Sequence, residues 1–321
     1  MNPNETRGLM LAVKASLFSN IALALIKAAS FFIVNSLAVA ADLGISFVSL
    51  GVSLFLYYAI RMSAKPADTF HNYGYGKIEN VTEAVEGVIL IGLSLSMSFM
   101  AVMHLVRPGG EVRYPAIGLT ASLLGMAINF WGSGFILRLG RKYASPALRA
   151  EGLHFRLEGF ISASVALSFV LVILLRKAGL AAAARYVDPS ATLIVSLLIA
   201  VPSVRLLREA FMKLLDASIE EAGQMDIMKA LARHFGVYCD FANIRTRTAG
   251  RRQFVDLTLI LPADLSVKKA HAHAADLKND LAVSIPESEI VVHMEPCAGD
   301  CAYAAEGRAC PYLAPTGKNG A

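Results

Sequence analysis

Ala41-Asp42-Leu43-Gly44-Ile45-Ser46-Phe47-Val48-Ser49-Leu50-Gly51 lies inside a long apolar run, and Glu151-Gly152-Leu153-His154-Phe155-Arg156-Leu157-Glu158 stands at the mouth of another. His154 and Glu158 are four residues apart, so on a helix both project from one face, one turn apart. An imidazole and a carboxylate so placed suit a divalent cation, and both groups can carry protons. An ionisable residue at membrane depth is costly to bury and therefore points to function. Position alone fits equally well with a pair resting in the headgroup zone.

The chain around these stretches has 321 residues, 55% of them hydrophobic and only 17% charged, with mean hydropathy +0.53. Soluble domains carry about 25% charged residues, so this composition belongs to a membrane protein. Six apolar runs, near 13–34, 37–59, 82–105, 115–137, 157–176 and 188–211, are long enough to cross the hydrocarbon as helices. The short link Asn35-Ser36 makes the first two an antiparallel hairpin. The first eight residues lack a basic n-region and a cleavage site, so the first run is expected to be retained. Thirteen Lys and Arg residues flank the runs on one side and five on the other, which places both termini in the cytoplasm. The net charge of +5 forms no basic stripe, and nucleic acid is not an expected partner.

From about Leu214 the pattern changes. Ile219 to Phe235 reads as an amphipathic helix, Phe241 to Thr248 and Gln253 to Leu261 as strands around Gly250, Ser266 to Leu281 as a second helix, and Glu289 to Met294 as a last strand. The order α-β-β-α-β predicts a small open-faced α+β domain. The expected division is a cytoplasmic N-terminus (1–12), a six-helix transmembrane domain (13–213), a cytoplasmic domain (214–296) and a Cys-containing flexible tail (297–321). Cys297, Cys301 and Cys310 fall at the end, and the first pair has a spacing compatible with structural zinc. The other reading is a tail of reduced thiols, since a disulfide framework does not suit a cytosolic segment.

Specific motifs give this layout a family. They are Leu50-Gly51-Val52-Ser53-Leu54, Lys65-Pro66-Ala67-Asp68-Thr69-Phe70-His71-Asn72-Tyr73-Gly74-Tyr75-Gly76-Lys77-Ile78-Glu79, Leu148-Arg149-Ala150-Glu151 running into His154-x-x-x-Glu158, Leu214-Leu215-Asp216, Ile244-Arg245-Thr246-Arg247 and His293-Met294-Glu295-Pro296. Together they resemble the cation diffusion facilitator family, whose members are homodimers or heterodimers that exchange cytosolic divalent cations for protons.

The resemblance implies a tetrahedral transport site with two ligands from the second helix and two from the fifth. Carried over, His154 is the histidine ligand and Glu158 replaces an aspartate, while the second-helix positions read Ile45 and Ser49. Ile45 has no donor, and a neutral hydroxyl at Ser49 is a poor ligand for a transition metal. Asp42, on the same helix, is a candidate to compensate. The resemblance also marks Asp68 and His71 as a weak loop metal site, with Tyr75 where some relatives place a third ligand. It pairs Lys77 with Asp216 as a charge interlock, and leaves Asp256, His271, His293 and Glu295 as the cytoplasmic metal set, similar to that of magnetosome-type members. Exposed loop and helix residues of these types are also commonly just solvated.

Two functions follow. The first is proton-coupled export of a divalent cation (zinc, iron or manganese) from the cytosol, across the inner membrane or an organelle-like membrane derived from it. The second is a transport-impaired paralogue acting as heterodimer partner, scaffold or metal-responsive regulator, favoured by Ile45 and Ser49. The cation is substrate and possible regulator, and no organic cofactor is expected. Enzymatic chemistry is not expected, because the sequence presents no nucleophile–base set or cofactor loop.

Overall fold

The computed structural model describes residues 3–34, 37–107, 115–180, 183 and 186–299; the side chains at 3–6, 30–34, 37–42, 44, 45, 115, 172, 188, 191 and 195 fall outside that description. Six long helices come first: α1 (Pro3–Val34), α2 (Leu37–Ser63), α3 (Lys77–Val106), α4 (Pro115–Lys142), α5 (Pro146–Lys177) and α6 (Val187–Leu214). Within α1 to α5, five stretches are long and apolar enough to cross a membrane, and α6 has comparable length. The second unit begins at Leu215 and holds β1 (Asp240–Ala249), β2 (Arg252–Leu261) and β3 (Ser288–Pro296) with α7 (Glu221–Arg233) and α8 (Val267–Ser284). The order is the α-β-β-α-β read from the sequence.

Three helix starts differ from the sequence expectation, and each has a local cause. The polar residues before the first apolar run do not form a separate arm. α1 begins at Pro3, and Leu9, Ala12 and Val13 are buried against Leu56, Ile60, Leu148 and Phe155. The fifth helix begins at Pro146, eleven residues before its apolar run: Ser145 is its N-cap, accepting from the Leu148 N–H, and Pro146 occupies the first turn, where its missing N–H costs nothing. Arg149, Glu151, His154 and Arg156 are therefore helical and not part of a link. α3 likewise starts at Lys77, which brings Glu79, Glu83 and Glu86 inside the bundle.

The bundle sets polar groups among the apolar side chains of its interior and turns large apolar side chains outward. Ser16, Asn20, Ser49, Ser53, Glu79, Glu83, Glu86, Glu151, His154 and Glu158 are buried, whereas Phe18, Leu25, Phe47, Leu54, Phe99 and Leu198 are exposed. In hydrocarbon, lipid is as good a neighbour for leucine as another helix, so close packing and interior hydrogen bonds hold the helices together. Glycine makes the close approaches. A Cβ on Gly140 of α4 would stand 3.1 Å from the Arg149 backbone nitrogen of α5, and one on Gly87 of α3 would stand 3.0 Å from Cα of Leu207 in α6.

In the second unit, β2 is central, antiparallel to β1 (Asp240↔Ile260 to Ala249↔Arg252) and parallel to β3 (Gln253↔Ser288 to Leu261↔Pro296). Gly250, with φ 63°, starts the two-residue turn that closes the β1–β2 hairpin. Val255, Leu257, Leu259 and Leu261 pack with Ile227 and Leu231 of α7 and Leu277 and Leu281 of α8. The two helices are also joined by Arg233, whose Nε and NH2 each reach the Asp280 carboxylate at 2.9 Å and hold that carboxyl below its usual range.

The Gly87 contact gives a direct test. Gly87→Val must push α3 off α6 at a backbone contact, with an expected cost of about 1–3 kcal/mol. Thermal melting in detergent should show a clear drop, whereas Gly92→Val, at a position where a Cβ meets nothing within 4 Å, should melt like the parent.

Candidate cation site

Ser49 of α2 and His154 and Glu158 of α5 meet in the bundle interior, with 2%, 2% and 4% of their surfaces exposed. The Ser49 hydroxyl donates to Glu158 Oε1 at 2.6 Å and lies 3.1 Å from His154 Nε2, which is 3.2 Å from the same Glu158 oxygen. One arrangement of hydrogens satisfies all three contacts: Ser49 donates to Glu158, and His154 carries its proton on Nε2, shared between the Glu158 oxygen and the Ser49 oxygen. His154 Nδ1 then has no hydrogen-bond partner among the described residues. This is not a hydrolase triad, because serine and carboxylate meet the same ring nitrogen and nothing orients the other.

Behind the site a second polar cluster links α1, α2 and α5. Asn20 Nδ2 donates to the Ser53 hydroxyl at 2.7 Å and to the Ser49 carbonyl at 3.3 Å. Ser53 donates in turn to Glu151 Oε1 at 2.6 Å, and Ser16 donates to the same oxygen. Ser16, Asn20 and Lys27 recur at spacings of four and seven, along one side of α1. Lys27 is half-buried and exerts a Coulombic influence on both His154 and Glu158. The sequence reading missed this lysine, although a single Lys within an apolar run is itself the signal. Asn20 bonds across helices, whereas Asn129 is buried with no hydrogen-bond partner among the described residues.

Asp42 and Ile45 lie in α2, and their side chains are outside the described residues. In the α2–α3 loop, Asp68 and His71 do come together, at 3.5 Å. The Asp68 carboxylate is already engaged: Oδ2 accepts from the Tyr75 hydroxyl at 2.6 Å, and Oδ1 from the Phe70 and His71 amides at 2.9 and 2.7 Å. Tyr75, foremost, holds the Asp68 carboxyl below its ordinary range, and Asp68 in return raises the Tyr75 phenol. Tyr75 therefore serves the loop as a donor.

In the second unit, Asp256 and His293 are both exposed. His293 is paired in register with Thr258, two residues along β2 from Asp256, so they share one face of the sheet. Glu295 lies 3.4 Å from His293, while His271 is exposed on α8, the helix covering the opposite, apolar face. Among the described residues no group of three or more His, Cys, Asp or Glu side chains converges as a metal would require. Lys77 donates to the Leu214 carbonyl at 3.1 Å, and Asp216 pairs with Arg247 at 3.7 Å. Cys297 is half-buried at the end of β3, and Cys301 and Cys310 lie outside the described residues.

A polar interior in an apolar bundle, followed by a small α+β unit, is the build of a multi-pass membrane transporter. Residues 13–215 match the cation efflux transmembrane domain, and residues 219–297 match the cation efflux protein cytoplasmic domain. The chain belongs to this family, the cation diffusion facilitators, and its C-terminal unit is the family's dimerisation domain. Among curated relatives, it is 26% identical to the cation-efflux pump FieF of Cronobacter sakazakii over 89% of this chain and 92% of the relative. It is 25% identical to FieF of Escherichia coli O127:H6, over 89% and 92%. An uncharacterized transporter of Synechocystis sp. is 24% identical, over 84% and 85%.

The loop makes a pH prediction. Because the folded Asp68 carboxyl titrates below its unfolded value, its contribution to loop order is present above the ordinary carboxylate range and is lost as pH falls through the lowered value. Protection of the Phe70 and His71 amides from hydrogen exchange should therefore persist to below the usual aspartate range. In Tyr75→Phe, its loss on acidification should begin at higher pH.

Proposed function

We propose that this chain exports a divalent cation from the cytosol in exchange for protons, using His154 and Glu158 as the transport site with Ser49 beside them. The supporting observation is the convergence of these three side chains, from two helices, at a buried point of a cation efflux fold. An imidazole and a carboxylate in contact can hold a cation in one state and protons in another, which is the chemistry an antiporter needs. Alternating access would come from helices rocking about this point. Asp42, on the same helix as Ser49, is the candidate further ligand. Zinc, iron and manganese all suit one nitrogen and one carboxylate completed by water; the FieF relatives are cation-efflux pumps.

In the same reading both termini face the cytoplasm, in the inner membrane or an organelle-like membrane derived from it. Lys77 and Asp216 act as a charge interlock of the dimer. Asp256, His271, His293 and Glu295 bind regulatory metal between protomers, where a second chain supplies what one chain does not gather. The loop pair Asp68–His71 is a weaker site, since Tyr75 and two amides already claim the carboxylate. Cys297, Cys301 and Cys310 offer thiolates to a soft metal.

One observation favours a second reading. The second helix offers Ile45 and Ser49 where the family places ligands, and Ser49 binds Glu158 by hydrogen bond instead of competing for a cation. The chain would then be a transport-impaired partner, scaffold or metal-responsive regulator in a heterodimer. Proton-driven uptake of Zn²⁺, Mn²⁺ and anaerobic Fe²⁺ into proteoliposomes separates the two. Transport predicts uptake of one of these metals, abolished in His154→Ala and in Glu158→Ala. Uptake seen only in the Ile45→Asp/Ser49→Asp variant would identify a transport-silent chain.

A further inference from the structure

Three glutamates line one face of α3 at spacings of four and three, Glu79, Glu83 and Glu86, and all are buried. Two of them are supplied with donors. Glu79 accepts from Ser63 at 2.9 Å and from Ser145 at 2.5 Å. Glu83 accepts from the Lys213 ammonium at 2.9 and 3.1 Å. Glu86 is the exception: it is fully buried, and among the described residues no donor reaches either of its carboxyl oxygens.

What faces Glu86 is more negative charge. The Glu151 carboxyl lies within hydrogen-bonding reach of it, and Glu83 adds its field from one turn away. Glu151 is also fully buried; its Oε1 is taken by Ser53 and Ser16, and its Oε2 has no partner. Three carboxylate oxygens are thus left unpartnered at adjoining, water-excluded positions. Two ionised carboxylates cannot satisfy one another, so burying this pair together calls for a proton or a cation between them.

We infer that Glu86 and Glu151 form a second cation site, made of oxygen ligands, that takes a hard divalent cation of the Mn²⁺ or Fe²⁺ class. Glu86 supplies both oxygens and Glu151 supplies Oε2, with water completing the shell. One or two carboxylates plus water is a common way of binding such ions without a full protein cage. Oxygen-only donors disfavour the softer ions that thiolate and imidazole select. The site lies three residues, about one turn, before His154 on α5. Ser53 and Asn20 connect it to the Ser49 end of α2. Its place beside His154 and Glu158 makes it a waiting position for a cation bound for the transport site. That role rests on the transport reading; the binding does not.

The test is Mn²⁺ binding to the full-length protein in nanodiscs, by electron paramagnetic resonance, which requires no transport. Glu86→Gln and Glu151→Gln should each weaken one Mn²⁺ equivalent per chain by about tenfold or more. That equivalent should persist in the His154→Ala/Glu158→Ala variant. Both amide variants keep the side chain's shape, and a thermal melt checks their folding. As a readout on the unaltered protein, anaerobic Fe²⁺ loading followed by ascorbate and peroxide should cleave the backbone near residues 86 and 151. Unchanged Mn²⁺ affinity in both amide variants, with no cleavage there, would overturn the inference and leave the carboxyls bridged by a proton. If proteoliposome uptake fails while this Mn²⁺ equivalent is retained, the transport reading falls and the site stands.

Discussion

Everything inside the helical bundle answers to one constraint: ionisable groups sheltered from water must be matched by other groups of the protein. Among the described residues of the bundle, six buried ionisable side chains, Glu79, Glu83, Glu86, Glu151, His154 and Glu158, lie on α3 and α5. Asn80 and His154 serve Glu83 and Glu158 from the same helices, and most of the other donors come from outside them: Ser16 from α1, Ser49, Ser53 and Ser63 from α2, Ser145 from the cap of α5, and Lys213 from α6. Serine hydroxyls are short and carry one donor each, so the helices supplying them must approach closely. Close approach is what Gly87 and Gly140 permit at the α3–α6 and α4–α5 contacts. Polar satisfaction and packing are thus one problem here, solved by small residues.

The same matching distinguishes structure from function within the bundle. Glu79 and Glu83 are neutralised or hydrogen-bonded, and they tie α3 to its neighbours. Glu158 is matched by Ser49 and His154, groups a cation can displace or join. Among the described residues, His154 Nδ1, Glu151 Oε2 and both oxygens of Glu86 have no hydrogen-bonding donor or acceptor matched to them. In a membrane interior such orphans are expensive, and a protein that moves cations through its core has a use for them. The half-buried Lys27 lies near enough to act electrostatically on the same site.

The C-terminal unit follows different rules. Its stability is that of a small soluble sandwich, with Val255, Leu257 and Leu259 on a central strand under two amphipathic helices. Its candidate metal residues lie outside that core, on the exposed sheet face and on α8, where they cost nothing to solvate. Gathering Asp256, His271 and His293 around one ion would need more than a single chain provides, in keeping with a dimerisation domain.

The sequence alone determined the class. Six apolar runs separated by basic links mark a membrane bundle, because hydrocarbon admits only segments that satisfy their own backbones. The switch to alternating and amphipathic patterns after Leu214 marks the α+β unit, and the motifs from Pro66 to Glu79 and around His154 carry the family. Hydropathy misplaced the starts of α3 and α5, since it reads polar residues such as Glu79 and Glu151 as lying outside the helices. The Ser145-Pro146 cap was the available counter-signal. Tertiary structure alone decided which polar residues meet. Spacing put His154 beside Glu158, but it could not bring Ser49 to them, set Glu151 against Glu86, or assign Tyr75 to Asp68. Local periodicity fixes the face of a helix a residue occupies, whereas its partner depends on how helices distant in sequence pack together.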